Sequence, residues 1–196
     1  MKITVPAGVL RDMLTGSLTC TSTDMTTPAL CAVSVTVADG ILRVQSTDRF
    51  RAIFGKYEIP LELRTPDHFS VMIDRKDVKQ VLSALPKGKG TTVMPVSIAV
   101  GGTFVVFDWG TGTSTVNIFD GQAPDLTRVI PSEDLPLSVD GLSFSGELLA
   151  TLGSIPNQSN VPWTLAFYGA SKPMTAKRSS DGEPSWMFLL MPVKLR

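Results

Sequence analysis

Few residues in this chain are spaced to do covalent chemistry. His68 is the single histidine. As a general base it would need a nucleophile within hydrogen-bond reach, and no Gly-x-Ser-x-Gly or comparable setting occurs. A surface or strand-end role is the expectation for it. Gly110-Thr111-Gly112-Thr113 is glycine-rich but lacks the Gly-Lys-Ser/Thr ending of a phosphate loop, so it reads as a hairpin turn. Asp24, Asp48 and Asp74 form no metal-ligand spacing. Cys20 and Cys31 have no Cys or His partner at such a spacing, and are read as buried or half-buried thiols of a reducing compartment, a disulfide between them being the alternative. The sequence therefore assigns no catalytic residue, metal or cofactor, and the expectation is that the protein is not an enzyme.

Binding chemistry is better represented. Lys76, Lys79, Gln80 and Ser83 share one face of a predicted helix, and Lys87 and Lys89 follow it. Arg11 lies on the outer face of an earlier helix, with Asp12 beside it. Lysines act as mobile point charges, so such a face can track phosphates without reading bases. A plain solvated helix face is the alternative. A later helix offers only Glu147, so the basic face is not repeated throughout.

The bulk numbers narrow the class. The chain has 196 residues, 43% hydrophobic and 18% charged, enough for one large domain or two small ones. Eighteen basic and eighteen acidic residues cancel, so any contact with nucleic acid must come from a local face. The N-terminus lacks a signal peptide's apolar core, and no apolar run approaches a membrane span of ~18 residues. A soluble intracellular protein is expected.

The elements that must position these side chains recur. Met1 to Val5 reads as a strand, Pro6 suits a helix start, and Val9, Leu10, Met13, Leu14 and Leu18 form one helical stripe. Strands follow at 32–37, 41–46 and 51–59, the first two joined by a hairpin at Asp39-Gly40. A second round begins with a strand at 69–73. It continues with a helix capped by Asp74 and facing inward through Val78, Val81, Leu82 and Leu85, then strands at 96–100, 103–109 and 115–119. The third round predicts a strand within 137–144 and a helix from Ser145 with Leu148, Leu149, Leu152 and Ile155 inward. Its closing strands are predicted at 163–168, 173–178 and 186–194. Helix starts near 7, 75 and 146 give a period of about 70, the mark of a repeated βαβββ unit whose exposed faces neighbouring units cover. The predicted class is α+β, with helices on one face of antiparallel sheets. The first two units make a domain over 1–122 and the third makes a half domain over 123–196.

Between the second and third units lies Gly121-Gln-Ala-Pro-Asp-Leu-Thr-Arg-Val-Ile-Pro131, which its two prolines, its glycine and a turn at Pro124-Asp125 keep non-helical. It resembles the segment Gly-x-Phe-Pro-Asp-Tyr-x-Arg-Val-Ile/Leu-Pro that joins the second and third domains of bacterial DNA polymerase III β-subunit sliding clamps. The ending Met191-Pro192-Val193-Lys194-Leu195-Arg196 is similar to that family's tail, extended by one residue. Met1-Lys2-Ile3-Thr4-Val5, Thr27-Pro28-Ala29-Leu30, Ala38-Asp39-Gly40 and Ser46-Thr47-Asp48 also resemble it, whereas 56–120 matches in pattern only. Ala123 and Leu126 stand where the family has aromatics.

The resemblance implies a replication processivity factor, a short clamp of a small or viral genome, cytoplasmic and nucleoid-associated. It would enclose duplex DNA non-specifically while polymerase and clamp-loader peptides dock in a groove. The matched groove positions are Pro124, Arg128, Val129, Met191, Pro192, Val193 and Leu195, and the DNA-facing positions are Arg11, Lys76, Lys79, Lys87 and Lys89. Family rings carry twelve βαβββ units. At about 10 Å per packed helix, nine helices line a circle roughly 29 Å across and twelve one roughly 38 Å, against a duplex roughly 20 Å wide. A homo-oligomer of three or four copies follows, three being favoured because head-to-tail contacts close it simply. A clamp-like adaptor or inhibitor that never encloses DNA, and an unrelated α+β module, are the other readings.

Overall fold

Each of the first two units gives its opening strand to the other. In the computed structural model, which describes every residue except 89, 133, 134, 136, 138–140, 157–159 and 194–196, β1 (Lys2–Pro6) pairs antiparallel with β6 (Pro95–Gly101) of the second unit. Reciprocally, β5 (Phe69–Asp74) pairs with β2 (Ala32–Ala38) of the first. One four-stranded sheet therefore runs β1-β6-β7-β8, with β7 at Phe104–Asp108 and β8 at Thr113–Asn117. The other sheet has seven strands in the order β5-β2-β3-β4-β11-β10-β9. In it β3 is Ile41–Thr47, β4 Arg51–Glu58, β9 Thr164–Ala166, β10 Met174–Arg178 and β11 Ser185–Leu190. The antiparallel α+β class read from the sequence is the one observed.

Helix α1 (Ala7–Leu18) begins after Pro6, and α2 (Arg75–Ala84) after Asp74, whose carboxylate accepts the Lys76 N–H at 2.8 Å. The stripes predicted for both helices face the main core: Leu10, Met13, Leu14, Val78, Val81 and Leu85 are buried there with strand residues of both sheets. Gly16 lets α1 lie directly on Trp186 of β11. A Cβ added there would sit 2.2 Å from a ring carbon. Trp186, Phe188, Leu190, Met174 and Ala176 share this core with α1, so the third unit is packed into the same body. The sheet likewise runs through, Leu190 opposite Arg51 to Ser185 opposite Lys56.

The third unit departs most from expectation. Within 137–144, residues 137 and 141–144 form no strand, and 138–140 lie outside the described residues. Its helix, α3, covers only Gly146–Ala150 and tightens into a 3-10 turn at Thr151–Ser154. So short a helix cannot bury a stripe two residues wide. Leu148, Leu152 and Ile155 face the core, while Leu149, one step round, is 37% exposed rather than inward. The predicted strand 163–168 shrinks to β9, and 186–194 ends at Leu190, two residues before Pro192 removes a ladder donor. The last strand of the second unit sits at 113–117, two residues earlier than expected.

Candidate peptide groove and basic helix face

The helices cover one face of the seven-stranded sheet, and the linker crosses the other. Alternation along β4 and β11 sends Ile53, Trp186, Phe188 and Leu190 toward the helices and Ala52, Phe54, Met187 and Leu189 outward. Leu126 and Ile130 pack on that outward set and make a second, small apolar cluster. The linker holds its shape through an Asx turn. Asp125 accepts the Thr127 hydroxyl at 2.5 Å and the Thr127 N–H at 3.1 Å, and these bonds hold its carboxyl below the usual carboxylate range.

A cavity of about 200 Å³ opens beside this cluster. Leu126, Val129, Ala52, Leu189, Pro173 and Met191 supply its apolar wall. The turn between β3 and β4 supplies its rim, with Arg49 and a 62% exposed Phe50. That turn is tightly bonded. Asp48 accepts the Phe50 and Arg51 N–H groups at 3.1 and 3.0 Å and the Arg51 Nε–H at 2.8 Å. The Thr47 hydroxyl donates to the Arg51 carbonyl at 2.8 Å, and Arg49 takes φ +81°. An exposed aromatic beside a mostly apolar slot suits an extended peptide with one or two bulky side chains.

Of the groove residues read from the sequence, Val129 and Met191 line this cavity. Pro124 lies in an adjoining crevice that shares Thr47 and Leu126 with it. The Arg128 side chain, 86% exposed, points to solvent and pairs with Asp125 at 3.1 Å. Pro192 and Val193 follow Met191 without lining the cavity, and the Val193 N–H donates to the Ser143 carbonyl at 2.7 Å. Leu195 lies outside the described residues. Sequence reasoning missed Phe50, Arg49, Leu189 and Pro173. The one available signal was Ser46-Thr47-Asp48, which was matched to a family segment but given no site.

On the helix face, Lys76, Lys79 and Lys87 are exposed as predicted, and Lys89 lies outside the described residues. Arg11 is partly buried: its Nη2 donates to the Leu85 and Pro86 carbonyls at 3.2 and 2.5 Å. It thus caps the C-terminal end of α2, where the helix dipole favours a cation. A wider cleft of about 670 Å³ lies between α1, α2 and the turn after α3. Its arginines are already engaged, Arg51 by Asp48 and Arg75 by the Thr21 carbonyl and hydroxyl, both at 3.0 Å. Among the described residues no group of three or more His, Cys, Asp or Glu could hold a metal, and no helix is long and apolar enough to cross a membrane.

No protein-family model and no curated protein matches this sequence. Solved structures do. The sliding clamp of Bacillus subtilis superposes with a TM-score of 0.78 at 19% identity, over 100% of this chain and 65% of that one. The DNA polymerase III β subunit of Thermotoga maritima gives 0.79 at 15%, over 100% and 66%. That of Pseudomonas aeruginosa gives 0.79 at 15%, over 99% and 66%. The chain has the sliding-clamp fold and spans about two thirds of the length of these clamps.

Proposed function

Starting from a chain with the sliding-clamp fold and an apolar slot on the sheet face away from its helices, we propose that the protein is a clamp-type replication processivity factor. In this reading it acts by topology and performs no catalysis of its own. Residues 1–122 serve as one clamp-like domain and 123–196 as a reduced second one. A closed homo-oligomer of three or four copies encloses duplex DNA without reading sequence, in the cytoplasm at the nucleoid. Lys76, Lys79, Lys87 and Lys89 face the phosphates, and Arg11 adds its charge from the end of α2. Peptide motifs of a DNA polymerase and of a clamp loader dock in the groove, where Pro124, Arg128, Val129, Met191, Pro192, Val193 and Leu195 are joined by Leu126, Phe50 and Arg49.

The observation that carries this reading is the slot itself. Two segments far apart in sequence, the linker and the tail, meet with Val129 and Met191 on one apolar cavity that has an exposed aromatic rim. A peptide with one Leu and one Phe anchor should bind there weakly, as read by fluorescence anisotropy. Val129→Asp places a charge in the slot at a half-exposed position, so it should leave the fold intact. It should weaken the peptide at least tenfold, corresponding to roughly 1.4 kcal/mol. Unchanged affinity would move the docking site elsewhere and remove the principal support for a clamp.

A further inference from the structure

Three non-glycine residues among those described take a positive φ: Asp39 at +54°, Arg49 at +81° and Asn160 at +50°. Asp and Asn visit this region readily, because their short polar side chains bond the local backbone. Arginine has no such reason to be there, and glycine would fill the position without strain. The conformation of Arg49 is imposed by its neighbours. The Thr47 hydroxyl accepts the Arg49 N–H at 3.2 Å, and the Asp48 carboxylate accepts the next two N–H groups at 3.1 and 3.0 Å. Strain of this kind is kept at binding sites, where the surrounding bonds over-determine it.

The turn faces two ways. Asp48 lines the polar cleft on the helix side, whereas Arg49 lines the apolar cavity on the other. Among the described residues two charged side chains line that cavity, Arg49 and Arg51. Arg51 is neutralised by Asp48 at 2.8 Å, and Arg128 on the linker by Asp125 at 3.1 Å. The Asp24 carboxyl is held below its usual range by the Thr26 hydroxyl and N–H first and by Arg49 least. The exposed Arg49 guanidinium forms no ion pair among the described residues. It leaves the rim with a net positive charge.

We infer that Arg49 is a selectivity-determining residue of the groove, and that the peptide it selects carries an acidic side chain beside its apolar anchors. The inference rests on the docking groove proposed above and deepens it. A planar guanidinium takes a carboxylate through two parallel N–H bonds, here next to the apolar wall that seats the anchors. The same cation repels a basic flank, so it discriminates in both directions. A rim charge acts on selectivity and salt dependence more than on total affinity.

Two peptides with the same Leu and Phe anchors, one with Asp beside them and one with Asn, test this by fluorescence anisotropy on the full chain. Wild type should bind the Asp peptide about threefold to fivefold more tightly at low salt, the upper range for an exposed ion pair. That advantage should shrink as salt rises toward about 0.5 M. Glycine suits the backbone at this position, so Arg49→Gly should keep the fold while its Asp-to-Asn ratio falls to about one. Arg49→Glu should prefer a third peptide with Lys in place of Asp. An equal ratio in wild type and Arg49→Gly would overturn the inference, as would the absence of any Asp preference in wild type. If the Asn peptide binds wild type and is lost on Val129→Asp, the groove stands whatever that ratio. Binding of neither peptide removes the groove and this role of Arg49 with it.

Discussion

Burial outweighs the neighbouring charges of Arg51 and Asp48 at Cys20. The thiol lies fully buried at the end of α1, and burial pushes its pKa up from 9.0 to about 12, only partly offset by the Thr19 hydroxyl beside it. Ionisation is thus less favourable in the folded state than in the unfolded one. The protonated thiol contributes fully below about 9, and that contribution is lost as the pH rises toward about 12. Tyr57, whose pKa burial also raises, acts in the same direction. Urea midpoints should therefore fall between pH 8 and pH 11, and Cys20→Ala should fall less steeply. At pH 8 the folded protein should resist iodoacetamide at Cys20, as peptide mapping would show. Equal slopes for variant and wild type would assign the effect to other groups.

Helix α2 separates stability from binding at the level of an element. Its apolar stripe, Val78, Val81 and Leu85, is in the core, while Lys76 and Lys79 project from the opposite face. Replacing both with Glu touches no buried group, so thermal stability should move by less than about 0.5 kcal/mol. Non-specific affinity for duplex DNA should drop, and the slope of log affinity against log salt should shrink by about two units, near one per lost phosphate contact. A double variant that keeps both affinity and slope would make these lysines a solvated face. The third unit's helix is too short to repeat this arrangement: α3 has five residues and Glu147 as its single charge. Among the described helices, the exposed lysine charge is therefore concentrated on α2.

At the scale of the whole molecule, the third unit is continuous with the first. It shares a seven-stranded sheet through β4 and β11, and it shares the core through Trp186, Phe188 and Leu190. Arg51 Nη1 also donates to the Thr151 hydroxyl, tying the rim of the groove to the turn after α3. Separating the units would expose a strand edge and a buried tryptophan together. Calorimetry should therefore show one unfolding transition, with calorimetric and van't Hoff enthalpies equal. Two resolved transitions would mean that 123–196 folds as a separate body. The groove belongs to this continuity, because its floor is Ala52 of the first unit beside Leu189 of the third.

Much of this was legible in the residues. Local periodicity determined α1, α2 and the hairpins, since helical and strand spacing leave different apolar patterns and Asp74 and Pro6 mark helix starts. The linker and tail pointed to Val129 and Met191, which line one cavity. Three things were beyond periodicity because they depend on partners distant in sequence. Strand exchange between β1 and β5 is invisible, since a strand's pattern records which face is buried and not which strand lies beside it. The fate of Arg11 was hidden because the carbonyls it meets, those of Leu85 and Pro86, lie just past the end of α2, more than seventy residues away. Phe50 and Leu189 entered the groove only when β4 met β11. The sequence by itself determined which residues are apolar, charged or turn-forming. Only the tertiary structure decided which segments face one another, because pairing register and packing are set by the whole chain.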